Sequence, residues 1–272
     1  MDNLRILVVG GAGFIGTKVI ERLLQYNIKK VVVLDNLSVN SGKKETSFNL
    51  INVNKFVNDD RYEFVSGDVR NIEDCMRVCK GINIICWFCG LGSITDSINN
   101  PYNYADTNIM GFINLITCAN KSGVDRIIYA SSGRLSTIDD PKNMLDVCNT
   151  MNEMIAKLFT KQYHIKTIGL RLFNVYGEGQ SNKGVIASFL KNINSGKPLV
   201  ITGDGNQKRD FTHIDNVVDT VINSMLITNP NSFGKIYDVA TEELKSIKEI
   251  SQIIMEYTLS LIHISEPTRR TP

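Results

Sequence analysis

The 272-residue sequence predicts an α/β chain, with a doubly wound parallel sheet followed by a smaller α/β lobe. Three observations carry this. Residues 4–16, LRILVVGGAGFIG, are an apolar run, a glycine-rich turn and the start of a helical pattern. A second apolar run, 31–34, ends in Asp35. Strand-length apolar runs then alternate with helical-period segments as far as Leu172, which calls for parallel strands joined by right-handed crossovers.

The first strand, Ile6 to Val9, does not alternate, as expected when both faces are buried. Gly10 and Gly11 permit a tight turn, Gly13 lets backbone approach a pyrophosphate, and Gly16 lets the helix lie against the strand. Phe14, Ile15, Val19, Ile20, Leu23 and Leu24 repeat at helical spacing, and the helix N-terminus offers N–H groups to phosphate. Asp35 lies about twenty residues beyond the last glycine, where a carboxylate accepts the ribose hydroxyls of a dinucleotide. A carboxylate there repels a 2′-phosphate, so NAD is preferred over NADP.

A polar loop containing Lys43 and Lys44 leads to a weakly helical stretch ending near Val57. The third strand, 62–66, runs into GDVRN; Asp68 there serves an adenine amino group or caps a helix over 72–78. The fourth strand, 82–86, opens into WFCGLGS, a small-residue loop. Residues 101–122 read as one long helix carrying Asn108. The fifth strand, 126–130, ends in Ser131 and Ser132; a helix over 145–163 and a sixth strand over 167–172 complete a Rossmann-type domain, 1–172. Residues 173–258 have a lobe-like texture, with a helix over 184–194, return elements including a strand over 235–239, and a capping box from Ser246 to Glu249.

Composition sets the bounds. Hydrophobic residues are 43% and charged residues 21%, with a formal charge of +2, so no nucleic-acid or membrane footprint is visible. No apolar run reaches a membrane-spanning length, and the amino terminus enters the first strand directly, so no signal peptide is expected. Of six cysteines, Cys86 and Cys89 form a C-x-x-C without a second pair; buried thiols in a reducing, cytoplasmic compartment are expected, and no metal site.

In order and spacing, GGAGFIG, VLDNLS, GDVRN, CGLGSITDSI, NPYNYADTNIMGFINLI, RIIYASS, RLFNVYGEG and GDGNQKRDFTHIDNVV resemble the extended short-chain dehydrogenase/reductases. Among these the NAD-dependent epimerases and dehydratases of nucleotide sugars, and the UDP-hexose 4-epimerases in particular, are most similar. The resemblance implies an NAD cofactor, a UDP-sugar ligand and a homodimer. It makes Gly10, Gly13, Phe14, Ile15, Gly16, Asp35, Asn36, Asp68, Val69, Phe88, Cys89 and Asn108 cofactor contacts, and Asn174 and Arg209 nucleotide-sugar contacts. An arginine suits a diphosphate, which it grips through two parallel hydrogen bonds, although pairing with Asp204 or Asp210 would occupy it.

The resemblance also implies a reaction by transient oxidation of the sugar 4-hydroxyl. In it a tyrosine takes the proton, a lysine one helical turn later lowers the tyrosine pKa, and a serine or threonine orients the hydroxyl. Ser132 fills the serine place. With Glu153 as the marker four residues beyond the lysine, the tyrosine position is Leu145 and the lysine position Asn149, neither of which can do the chemistry. The loop after Ser132 is about a dozen residues shorter than the family's, and a loop of this kind normally carries function. Ser136 and Thr137 stand where the family has Tyr-Gly, and Trp87 to Gly90 where many relatives have His-Leu-Ala-Ala. Tyr129 and Tyr176 are the nearby candidates for a substitute acid, Tyr129 reading as core.

The sequence therefore supports two functions, a UDP-sugar 4-epimerase homologue or a catalytically impaired NAD- and UDP-sugar-binding protein with a partner or sensor role. A dimer seam is expected on Ile109, Ile113, Ile155 and Phe159. Residues 259–269, LSLIHISEPTR, match the translation of a transposase sequencing adapter, so 259–272 are expected to be a non-native tail on a C-terminally truncated lobe.

Overall fold

The computed structural model describes residues 1–38, 46–136, 140–181 and 184–258. Lys43, Lys44, Thr137 and the 259–272 tail lie outside these. The strands are β1 (Arg5–Val9), β2 (Lys30–Asp35), β3 (Tyr62–Ser66), β4 (Ile84–Trp87), β5 (Arg126–Ser132), β6 (Lys166–Leu172), β7 (Lys208–Asp210), β8 (Lys235–Val239) and β9 (Leu244–Ser246). Seven form one parallel sheet in the order β3-β2-β1-β4-β5-β6-β8. Strand order reverses between β1 and β4, where open α/β sheets place their ligand crevice.

The α-helices are α1 (Phe14–Leu23), α2 (Thr46–Asn54), α3 (Ile72–Cys79), α4 (Ile94–Asn99), α5 (Pro101–Tyr104), α6 (Gly111–Lys121), α7 (Met144–Tyr163), α8 (Val185–Asn194), α9 (Ile214–Leu226) and α10 (Ile247–Thr258). Along β1, Leu7 and Val9 join a core with α3, α6 and α7 that includes Phe112, Leu115, Ile116 and Ala156. Ile6 and Val8 alternate with them and are equally buried, so the strand is covered on both faces.

The chain forms two compact units. One is Met1–Leu172 with Val218–Val239; the other is Phe173–Val217 with the stretch from Ala240. In the second, β7 and β9 pair antiparallel, and α8 and α10 enclose Phe189, Leu199, Ile201, Ile247, Ile250 and Ile254. The capping box forms as expected: Ser246 N donates to Glu249 Oε2 at 2.7 Å and Glu249 N to Ser246 Oγ at 3.1 Å.

The segment read as one helix over 101–122 is continuously helical from Pro101 to Lys121, passing from α5 through a π turn over Ala105–Met110 into α6, with the separate α4 before it. Helix α3 is capped by Asn71, whose side chain accepts from Glu73 N at 2.9 Å, and not by Asp68. Of the expected seam residues, Ile109 is buried, Ile113 and Ile155 are partly buried against the Tyr104–Cys148 cluster, and Phe159 is partly buried against the main core.

Candidate functional site

Gly10 leaves β1 at φ +79°, and a Cβ there would stand 2.6 Å from Cys89 N. The turns after β1 and β4 therefore touch backbone to backbone, which only glycine permits. At Gly16 a Cβ would stand 2.5 Å from Gly10 O, so the helix also closes on the turn. Gly13 is the N-cap of α1 and no side chain caps that helix, leaving the N–H groups of Phe14, Ile15 and Gly16 facing the turn. This is a built anion cradle, and it fits a dinucleotide pyrophosphate.

Asp35 ends β2 and is wired into the same loop. Its Oδ2 accepts from Ala12 N at 3.0 Å and its Oδ1 from Leu37 N at 2.8 Å. Burial raises its pKa, and these two backbone donors oppose the rise. Asn52 of α2 donates to Ala12 O at 2.8 Å, a support that sequence reasoning misses because nothing in its pattern marks it. Asp68 accepts a forked pair from Arg70, at 3.0 and 2.7 Å, and 3.0 Å from Asn36 Nδ2. The Arg70 guanidinium holds its pKa down to about 2. Val69 is a core residue, while Phe88 and Cys89 are half-buried on the turn after β4. Asn108 is buried on the π turn with its amide spent on Leu91: Oδ1 accepts from Leu91 N at 2.8 Å and Nδ2 donates to Leu91 O at 3.0 Å.

Ser132 closes β5 half-buried and accepts from Arg134 N at 3.3 Å. Leu145, in the first turn of α7, packs against the apolar cluster of Tyr104, Ile109 and Cys148. Asn149 lies one turn further on, half-buried. Glu153 accepts Ser131 Oγ at 2.6 Å and Arg171 Nε and Nη2 at 2.9 and 2.8 Å, which keys α7 to β5 and β6. Arg171 Nη1 donates to Ser136 Oγ at 3.2 Å, and Ser136 donates to Asp238 Oδ1 at 2.8 Å. In the sequence Glu153 is no more than a marker, and its partner Arg171 gives a signal only through its place on the adjacent strand. Arg134 forks onto the buried Asp146 at 3.2 and 3.3 Å.

Tyr129 is core, packed at 5.6 Å from the Phe112 ring, and burial pushes its phenol up, away from acid–base use near neutrality. Tyr176 sits edge-on to His213 at 5.2 Å. Tyr26 and Lys30 share the Tyr-x-x-x-Lys spacing but not a helix face, since Lys30 belongs to β2 and pairs with Glu63 at 2.7 Å.

In the second unit Asn174 adopts φ +30° and donates to Asp210 O at 2.6 Å. Arg209 is exposed and donates to Lys208 O at 2.8 Å. The acids expected to compete for it are engaged elsewhere: Asp210 accepts from Thr241 N and Oγ1, and Asp204 from Asn206. All six thiols are free. No helix among the described residues is long and apolar enough to cross a membrane.

A sequence model of the NAD dependent epimerase/dehydratase family matches residues 6–240. A putative UDP-glucose 4-epimerase of Methanocaldococcus jannaschii is 31% identical over 265 residues, spanning 92% of this chain and 81% of that protein. The crystal structure of UDP-glucose 4-epimerase from Thermotoga maritima with UDP-glucose superposes at TM-score 0.84 with 26% identity, covering 98% of this chain and 87% of that one. UDP-glucuronic acid 4-epimerase of Bacillus cereus, solved with UDP-glucuronic acid and NAD, shares the fold at TM-score 0.88 and 23% identity, covering 96% and 85%. With its glycine turn, its strand order and these likenesses, the chain belongs to the NAD dependent epimerase/dehydratase family.

Proposed function

We propose that the chain binds NAD on the turns after β1, β2 and β4, and a UDP-hexose through its second unit, on a 4-epimerase scaffold whose proton transfer is impaired. The reading is carried by α7, where the register taken from Glu153 puts Leu145 at the tyrosine position and Leu145 packs against an apolar cluster. Asn149 offers no charge in place of the lysine.

Bound NAD supplies a reversible oxidant for the sugar C4 alcohol. The residues of the chain supply placement. Backbone N–H groups at Gly13, Phe14, Ile15 and Gly16 serve the pyrophosphate, Asp35 and Asn36 the adenosine ribose, and Asp68 and Val69 the adenine. Phe88, Cys89 and Asn108 shape the turn against the cofactor. Ser132 orients the sugar hydroxyl, and Leu145 offers no phenol to take its proton. Asn174 and Arg209 hold the nucleotide diphosphate; the prior engagement of Asp204 and Asp210 supports this for Arg209.

For assembly we propose a homodimer through the outer face of α7. Met151, Met154 and Leu158 are exposed there at helical spacing, with Met110 exposed on the π turn. Six free thiols favour a reducing, cytoplasmic setting. The second reading, a partner or sensor protein that holds NAD without turnover, rests on the same apolar burial of Leu145.

The test adds UDP-glucose or UDP-N-acetylglucosamine to NAD-loaded protein and follows reduced nicotinamide by absorbance and product by chromatography. Retained NAD with epimerisation at least about a hundredfold below an intact relative is expected, the scale of a missing general base. Turnover equal to the relative's overturns the reading.

A further inference from the structure

The π turn over Ala105–Met110 opens the helix between α5 and α6, and one of its carbonyls is taken up from outside. Asn152 Nδ2, on α7, donates to Asn108 O at 3.0 Å. The Asn108 side chain in turn closes two hydrogen bonds on the backbone of Leu91. Gly90 approaches the same amide so closely that a Cβ would stand 3.2 Å from Asn108 Oδ1. One chain of contacts thus runs from α7 through the π turn to the loop after β4.

Among the described residues the other end of the Asn152 amide has no partner. Its Oδ1 is buried without a hydrogen bond, on a residue only 5% exposed. Turning the amide over would set oxygen against oxygen, so the geometry fixes its direction. An unmatched buried acceptor opposes folding, and an apolar residue of similar size would avoid it. What the Asn152 amide contributes within the chain is its N–H, donated to the π-turn carbonyl.

We infer that Asn152 is a positioning residue for the cofactor loop: by fixing the π-turn carbonyl it fixes Asn108, and through Asn108 the backbone at Leu91. The inference rests on the NAD reading for its purpose. Tyr104 pins the neighbouring Ser93 independently, donating to its carbonyl at 2.7 Å and accepting from its N–H at 3.0 Å. Loss of Asn152 should therefore loosen Leu91 specifically.

The experiment compares wild type, Asn152→Leu and Asn152→Ala by amide hydrogen exchange, thermal melting and calorimetric NAD binding. Asn152→Leu should melt no lower than wild type, yet exchange the Leu91 amide about tenfold faster and bind NAD about tenfold more weakly, the scale of one lost hydrogen bond. Asn152→Ala keeps the exchange test available if the leucine does not fit. Unchanged exchange at Leu91 overturns the inference, as does faster exchange spread along α7 with a lowered melting point, the mark of a merely structural role. A wild type that fails to bind NAD overturns the cofactor reading and the purpose assigned here, whatever Leu91 does.

Discussion

Removing the Arg171 guanidinium leaves Glu153 stranded. The carboxylate, 8% exposed, holds two guanidinium N–H groups, from Nε and Nη2, and the Ser131 hydroxyl, and no other cation pairs with it among the described residues. Breaking one side of a buried pair costs about 3–5 kcal/mol. Arg171 is 25% exposed, so water offsets part of this and the lower end, about 3 kcal/mol, applies. In a domain of this size each kcal/mol moves the melting point by roughly 2–4 °C, so Arg171→Met should melt roughly 6–12 °C lower. Urea unfolding of Arg171→Met, Glu153→Gln and the double variant measures it, with Ser136→Ala as control for the weaker Arg171–Ser136 contact. The double variant buries no charge and should recover most of the loss, giving a coupling above about 1 kcal/mol. Additive effects, or an Arg171→Met loss within about 0.5 kcal/mol, would refute the claim that this pair keys α7 to the sheet.

Leu145→Tyr with Asn149→Lys should raise 4-epimerisation only in part, because the shortened loop after Ser132 is not restored; an unchanged rate by product chromatography counts against the register taken from Glu153. Asp35→Ala should weaken NAD binding and narrow its preference over NADP, and equal affinity of the wild type for both by calorimetry refutes the role given to Asp35. Asp68 has a folded pKa near 2 against an ordinary 3.8, so its contribution to stability is complete above 3.8 and lost as pH falls through about 2. Arg70→Ala removes the cause and should start acid unfolding at higher pH; an unchanged acid limb in circular dichroism refutes this. Met154→Glu should give a monomer by light scattering at micromolar concentration if α7 forms the seam, and an unchanged dimer would exclude that face.

Legibility in the sequence is mostly local. The glycine turn, Asp35, the capping box and the strand runs are readable because each is set by backbone geometry or by burial on both faces. The π turn is not legible, since an inserted residue in a helix leaves no composition mark. Period alone shows that a helix has an apolar stripe without saying what the stripe meets, and α7 has two, Ile155 and Phe159 inside, Met151, Met154 and Leu158 outside. At the site, the turn after β1 is readable from its residues, whereas the amides of Asn52, Asn108 and Asn152 act through distant backbone atoms that no spacing rule reaches. Leu145 is visible only through the resemblance, because by itself a leucine in a helix is unexceptional.

The seventh strand arrives late. β8 pairs with β6 from Ile168↔Lys235 to Leu172↔Val239, after the whole of Phe173–Val217 has been synthesised, with Gly234 N donating to Thr167 O at 2.8 Å where the strands begin to pair. Until then β6 is a raw sheet edge on the nascent chain, its Ile168 and Leu170 flanked by Lys166 and Arg171 as charged gatekeepers against intermolecular pairing. Parallel pairing across so long a gap is slow. The window for misassembly during biosynthesis therefore opens at Leu172 and closes only when residue 239 has left the ribosome, and a chaperone serving this protein has that edge to cover.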